Sequence, residues 1–167
     1  MRKLFILAAV LLSAGVIWPL QATDIGTRAL IAQLEGHSST AYYDSAGVLT
    51  ICYGHTGPEV YEGLVLPDSA CDNLLWLDIS AAERAIGRLV TVDLSESQLT
   101  VLTSFVFNVG VGAFEESTLL RRLNTGDYEA VPQELLRWNK ITVDGVKVPS
   151  RGLINRRNIE IQLWNGE

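Results

Sequence analysis

The stretch LTVLTSFVFNVG, residues 99–110, is apolar on almost every side of a helix. A helix of that kind has to be enclosed by the rest of the chain. Ser95-Glu96-Ser97-Gln98 in front of it is a capping box, with Ser95 at the N-cap and Gln98 three residues on. The helix is therefore expected at the centre of a lobe, with Asn108 and the glycines at its end turning the chain tightly. A chain of 167 residues is long enough for one domain with a sizeable core around it.

The chemistry is concentrated upstream, in LEGHSSTAYYDSAGVLTICYGHTG, residues 34–57. Thr23-Asp24 can cap a helix over residues 25–34, with Ile25, Ala29 and Ala32, and Ile31 and Leu34, as its inward stripe. Glu35-Gly36 reads as the end of that helix, because glycine commonly follows a helix C-terminus. Residues 41–43 and 48–53 are rich in aromatic and β-branched side chains, and Asp44-Ser45-Ala46-Gly47 between them is turn material. A helix end followed by a β-hairpin puts Glu35 opposite Asp44 and Thr50, with Thr50 and Cys52 on one face of the return strand. Two carboxyl groups across a groove are what glycoside hydrolysis requires, one protonated and one ionised.

The spacing of these residues carries a resemblance. Glu35, eight residues, Asp44, five residues, Thr50, then Ile51-Cys52-Tyr53-Gly54-His55 resembles the signature of the T4-type phage lysozymes, glycoside hydrolase family 24. Residues 107–114, Trp138, Gly145 and the run from Gly152 to Arg157 followed by Glu160 also resemble that family. Cys52 departs from it, since many relatives carry glycine there. The resemblance implies an α+β, two-lobed, lysozyme-like fold, mostly helical with a small hairpin lobe. It also implies a muramidase that cuts the β-1,4 bond between N-acetylmuramic acid and N-acetylglucosamine in peptidoglycan. Glu35 is then the general acid, Asp44 the ionised partner and Thr50 the holder of the attacking water. A general acid must keep its proton near neutral pH, which burial favours and a neighbouring arginine opposes.

The first residues stand apart. Arg2-Lys3 precede a charge-free run from Leu4 to Leu20. Seventeen helical residues rise about 25 Å, short of the roughly 30 Å hydrocarbon core. Residues 1–22 therefore read as an export signal or a marginal span with the rest of the chain outside the cytoplasm, and residues 23–167 as the catalytic domain. The resemblance extends to the signal-arrest-release endolysins. It implies tethering at the periplasmic face of the host inner membrane, then release into the periplasm when a holin or pinholin acts. Fifteen residues from Leu20 to Glu35 leave a tether close to the site.

Cys52 and Cys71 both follow that segment. An even count in an exported chain favours a disulfide, which would brace the hairpin; two buried thiols are the alternative. By the resemblance, His55 pairs with Asp78 on a long helix over residues 69–89, whose apolar positions include Leu74, Leu75, Leu77, Ile79, Ala82 and Ile86. Arg156 or Arg157 on the last helix neighbours Glu35 or Asp24, against the alternative of a surface arginine. His37 is expected as an exposed loop residue. Pro67 opens the long helix, Asp127 caps a helix reaching Trp138, and residues 140–149 form a loop or small turn.

Net charge is −6, which argues against a nucleic-acid partner. The two histidines have no metal spacing, and no cofactor is implied; the chain is expected to act as a monomer on peptidoglycan. The rival functions are a lytic transglycosylase or chitinase-like hydrolase, and a membrane-anchored wall-binding module without catalysis.

Overall fold

The computed structural model describes residues 24–44, 47–143 and 145–166; the expected export segment and the domain boundary at residue 23 lie outside them. In chain order the elements are α1 (Asp24–Glu35), β1 (Ser38–Tyr43), β2 (Leu49–Cys52), α2 (Asp68–Leu89), α3 (Glu96–Val109), α4 (Val111–Glu115) and α5 (Thr118–Leu123). A 3-10 turn (Tyr128–Ala130), α6 (Val131–Leu136), β3 (Lys140–Val143), β4 (Val146–Pro149) and α7 (Arg151–Asn165) follow. The fold is mostly helical and lysozyme-like, with two small antiparallel hairpins.

The helix α3 is the centre of the large lobe. Val101, Leu102 and Phe105 have no exposed surface, and Phe114, Leu119, Leu123, Val131 and Leu135 close around them. Trp138 meets the Phe105 ring edge-on, with centroids 5.4 Å apart. The capping box is present: Ser95 Oγ accepts from the Gln98 amide at 3.2 Å, and the Ser95 amide donates to Gln98 Oε1 at 2.9 Å.

The hairpin lobe has its own small core of Ile51, Cys52, Val60 and Cys71. Cys52 and Cys71 form a disulfide, which joins the end of β2 to the first turns of α2. Twenty-two residues of α2 rise about 33 Å, from that disulfide to Ala82 and Ile86 in the large core. Ile31 of α1 packs against Leu75 and Ile79 of α2 in a third cluster between the lobes.

Several local expectations are corrected. The buried face of α1 carries Thr27 and Ile31, while Ala29 is exposed; Thr27 is held by a 3.0 Å hydroxyl–hydroxyl bond to Thr100 of α3. On α2, Leu77 is half exposed beside Trp76, because the turn of the helix carries both off the Leu75–Ile79 face. Pro67 is the N-cap of α2, one position before the first turn. Asp127 caps no helix with its side chain; it pairs with Arg122 at 2.8 Å, and the chain passes through the 3-10 turn first. Residues 140–149 are a hairpin rather than a loop, paired Lys140 with Pro149 through Val143 with Val146.

Candidate active site

Glu35 is the last residue of α1. Gly36 follows at φ +72° and donates to the Ala32 carbonyl, so the helix stops there and the chain turns into β1. The Glu35 side chain is about one-fifth exposed and is ion-paired with Arg156 Nη1 from α7. Its Oε2 lies against Gly54, where an added Cβ would stand 3.4 Å away. Gly54 has φ +89°, so the backbone conformation favours glycine beside the carboxylate.

Asp44 follows β1 and starts the hairpin turn. Its Oδ1 accepts from the Val48 amide at 2.8 Å, its carbonyl accepts from Gly47, and its own amide donates to the Val48 carbonyl. The carboxylate is thereby fixed relative to the strands. Thr50, in register with Tyr42, is buried on β2. Its hydroxyl donates to the Val48 carbonyl at 2.9 Å. With the proton committed there, its lone pairs are left to accept from a further donor such as water. Thr50, Ile51 and Cys52 are all buried, so this short strand is covered on both faces. Cys52 has φ +59°, the one positive value outside glycine among the described residues. That conformation is one glycine adopts without a side-chain cost.

The turn after β2 places His55 in the expected pair: Nδ1 is 2.7 Å from Asp78 Oδ2 on α2. A second carboxylate was not anticipated, Glu59 Oε1 at 2.8 Å from Nε2; the i,i+4 spacing was its only sequence signal. Burial pushes the His55 pKa down, but the bonds and charges of Asp78 and Glu59 together raise it above the usual 6.5. The hydrogen bond from His55 in turn lowers Glu59. Gly54, His55 and Asp78 line a cavity of about 210 Å³ whose other wall includes Val106, Phe107 and Gly110 of the large lobe. Space therefore lies between the lobes, bounded by the same glycine that abuts Glu35.

Arg156 is buried, at 5 % exposure, which removes the surface-arginine alternative. Arg157 is fully buried and bonds the Trp138 carbonyl, Asn108 and Glu160. His37 is exposed but not isolated: its ring lies 4.9 Å from Tyr53, and Nε2 is 3.6 Å from Asp68.

A family model described as phage lysozyme matches residues 32–160. The SAR-endolysin of Escherichia phage Mu is 43% identical over 139 residues, 83% of this chain and 78% of that one. An endolysin from Escherichia coli O157:H7 phage FAHEc1 superposes with a TM-score of 0.79 at 30% identity, covering 87% of this chain and 94% of that one. The muramidase domain of SpmX from Asticaccaulis excentricus superposes with a TM-score of 0.78 at 31% identity, over 86% and 97% of the two chains.

Proposed function

The chain belongs to the phage lysozyme family and is a peptidoglycan-hydrolysing endolysin; from that premise we propose how its residues divide the work. Glu35 protonates the glycosidic oxygen between N-acetylmuramic acid and N-acetylglucosamine. Asp44 remains ionised and stabilises the oxocarbenium-like charge as the bond breaks. Thr50 holds a water on the far face of the sugar, and Asp44 helps activate it for a single displacement. The observation that carries this reading is that Glu35, on a helix end, lies against Gly54, a residue that lines the inter-lobe cavity, with Asp44 fixed by the hairpin turn. The committed Thr50 hydroxyl supports the water-holding role, since it orients the oxygen as an acceptor.

Product analysis tests the reading. Digested sacculi should give reducing muramic acid ends, with the inverted anomer appearing first by NMR. An anhydro terminus would assign a lytic transglycosylase instead, and a retained anomer would assign a covalent intermediate. Release of free N-acetylglucosamine chains from chitin at the same rate would favour a chitinase-like enzyme. Binding to sacculi without any cleavage would leave a wall-binding module.

Residues 1–22 tether the catalytic domain, residues 23–167, to the inner membrane, and departure of the segment frees it into the periplasm. The supporting observation is that α1 begins at Asp24, four residues past Leu20, and ends on Glu35. A membrane anchor therefore pulls on the helix that carries the acid. The released enzyme acts as a monomer, and release depends on a holin or pinholin. Fractionation with N-terminal sequencing before and after depolarisation tests this; equal wall cleavage by tethered and released forms would contradict it.

A further inference from the structure

The helix α7 carries a buried carboxylate that the scheme above leaves without a role. Glu160 has no exposed surface. Its Oε1 accepts from Ser104 Oγ at 2.7 Å and from Arg156 Nε at 3.3 Å, and its Oε2 accepts from Arg157 Nη1. Arg156 is thus held on three sides. Nε donates to Glu160, Nη2 to the Ser104 carbonyl and hydroxyl at 3.0 and 3.2 Å, and Nη1 to Glu35. Arg157 stacks over Phe105 at 4.9 Å and bonds Asn108 and Trp138. Burial pushes its pKa below the usual arginine value, and the charge of Glu160 works against that.

The charges in this network decide what Glu35 faces. Two guanidinium groups are balanced by two carboxylates when Glu35 is ionised. When Glu35 carries a proton, Glu160 is the buried anion left to offset them. Glu35 meets Arg156 of α7 directly, and Arg156 is backed by Glu160 and by Ser104 of α3; the charge of Arg157 also reaches Glu35. Gly54 lies against the Glu35 carboxylate, and the next residue, His55, is held by Asp78 and Glu59. Asp44 is the charged group of the hairpin.

We propose that Glu160 is a positioning residue for the reaction: it fixes Arg156 against Glu35 and halves the positive charge that Glu35 meets, so that Glu35 can hold a proton at working pH. This rests on Glu35 being the general acid. Without the Glu160 charge the two arginines would favour the Glu35 carboxylate, and activity would fail at a lower pH. With one arginine charge removed the effect reverses.

The test is the pH profile of kcat/KM on purified sacculi, using the full-length chain. E160Q keeps the shape and removes the charge. Its alkaline limb should move to lower pH by about one unit or more, with loss at the optimum well below the roughly 100-fold expected from losing a general acid. E160D should restore the limb, and R157Q should move it to higher pH. Unmoved limbs in folded E160Q and R157Q overturn the proposal. If E160Q does not fold, the direction of the R157Q limb decides alone. E35Q is the control: activity in E35Q overturns the underlying acid assignment, whereas an inactive E35Q with an unmoved E160Q limb overturns this inference only.

Discussion

Breaking the Cys52–Cys71 disulfide should lower the melting temperature by about 10 °C and leave catalysis intact. The bridge spans a sequence separation of 19. In the chain-entropy treatment, closing a loop of that length removes about 11 cal/mol/K from the unfolded ensemble, about 3 kcal/mol at 25 °C. A domain of this size melts with an entropy of about 0.3 kcal/mol/K, so 3 kcal/mol corresponds to about 10 °C. Neither cysteine supplies a group to the proposed chemistry of Glu35, Asp44 and Thr50, so sacculus turnover at 25 °C should stay within about twofold. Cys52 adds a second comparison because its backbone is left-handed, at φ +59°. A side chain there costs about 1–2 kcal/mol that glycine avoids. The double variant C52G/C71A should therefore melt about 3–6 °C above C52A/C71A. Calorimetry on the oxidised protein, the protein refolded under reductant and the two double variants measures all of this. A loss below about 3 °C on reduction, or C52A/C71A as stable as C52G/C71A, would refute the reasoning.

Two further outcomes follow from the site. The His55 pKa is raised in the folded state, so its contribution to stability is full below about pH 6.5 and fades as pH rises through the folded value. Glu59 is lowered, so its contribution is present above its usual 4.5 and lost as pH falls through its folded value. The gap in stability between wild type and H55N should be widest between about pH 4.5 and 6.5 and shrink toward pH 9; urea titrations showing a gap that grows with pH would contradict the pairing. G54A forces a side chain into φ +89° and places its Cβ 3.4 Å from Glu35 Oε2. It should melt about 3–6 °C lower, from a backbone cost of about 1–2 kcal/mol, and lose activity; unchanged turnover would show that the Gly54–Glu35 approach is not needed.

What the sequence revealed depended on how local the cause was. The end of α1 at Gly36, the Asp44–Gly47 turn, the Ser95–Gln98 capping box and the buried α3 are each set by residues a few positions apart, and each was legible. Glu35, Asp44 and Thr50 stand out in the sequence as a candidate set, because their separations fall within one helix end and one hairpin; their catalytic roles are a proposal. The β3–β4 hairpin is weakly marked: Asp144-Gly145 lies between two alternating runs, the usual hairpin signal, but short strands that leave Ile141, Val143 and Val146 exposed give no core pattern to support it. Leu77 was misplaced because an apolar residue on a helix says nothing by itself of its face. Glu160 was the least legible: its meaning comes from Ser104, 56 residues away in the chain, and from Arg156 reaching Glu35 across 121. Contacts at that separation are products of the assembled lobes, and no local spacing encodes them.

The role proposed for Glu35 is to supply the proton that breaks the glycosidic bond. It is tested by the initial rate of sacculus solubilisation by E35Q, with its melting temperature recorded alongside. That rate should be at least about 100-fold below wild type in a protein that remains folded at the assay temperature. A folded E35Q that solubilises sacculi at near wild-type rate would contradict it.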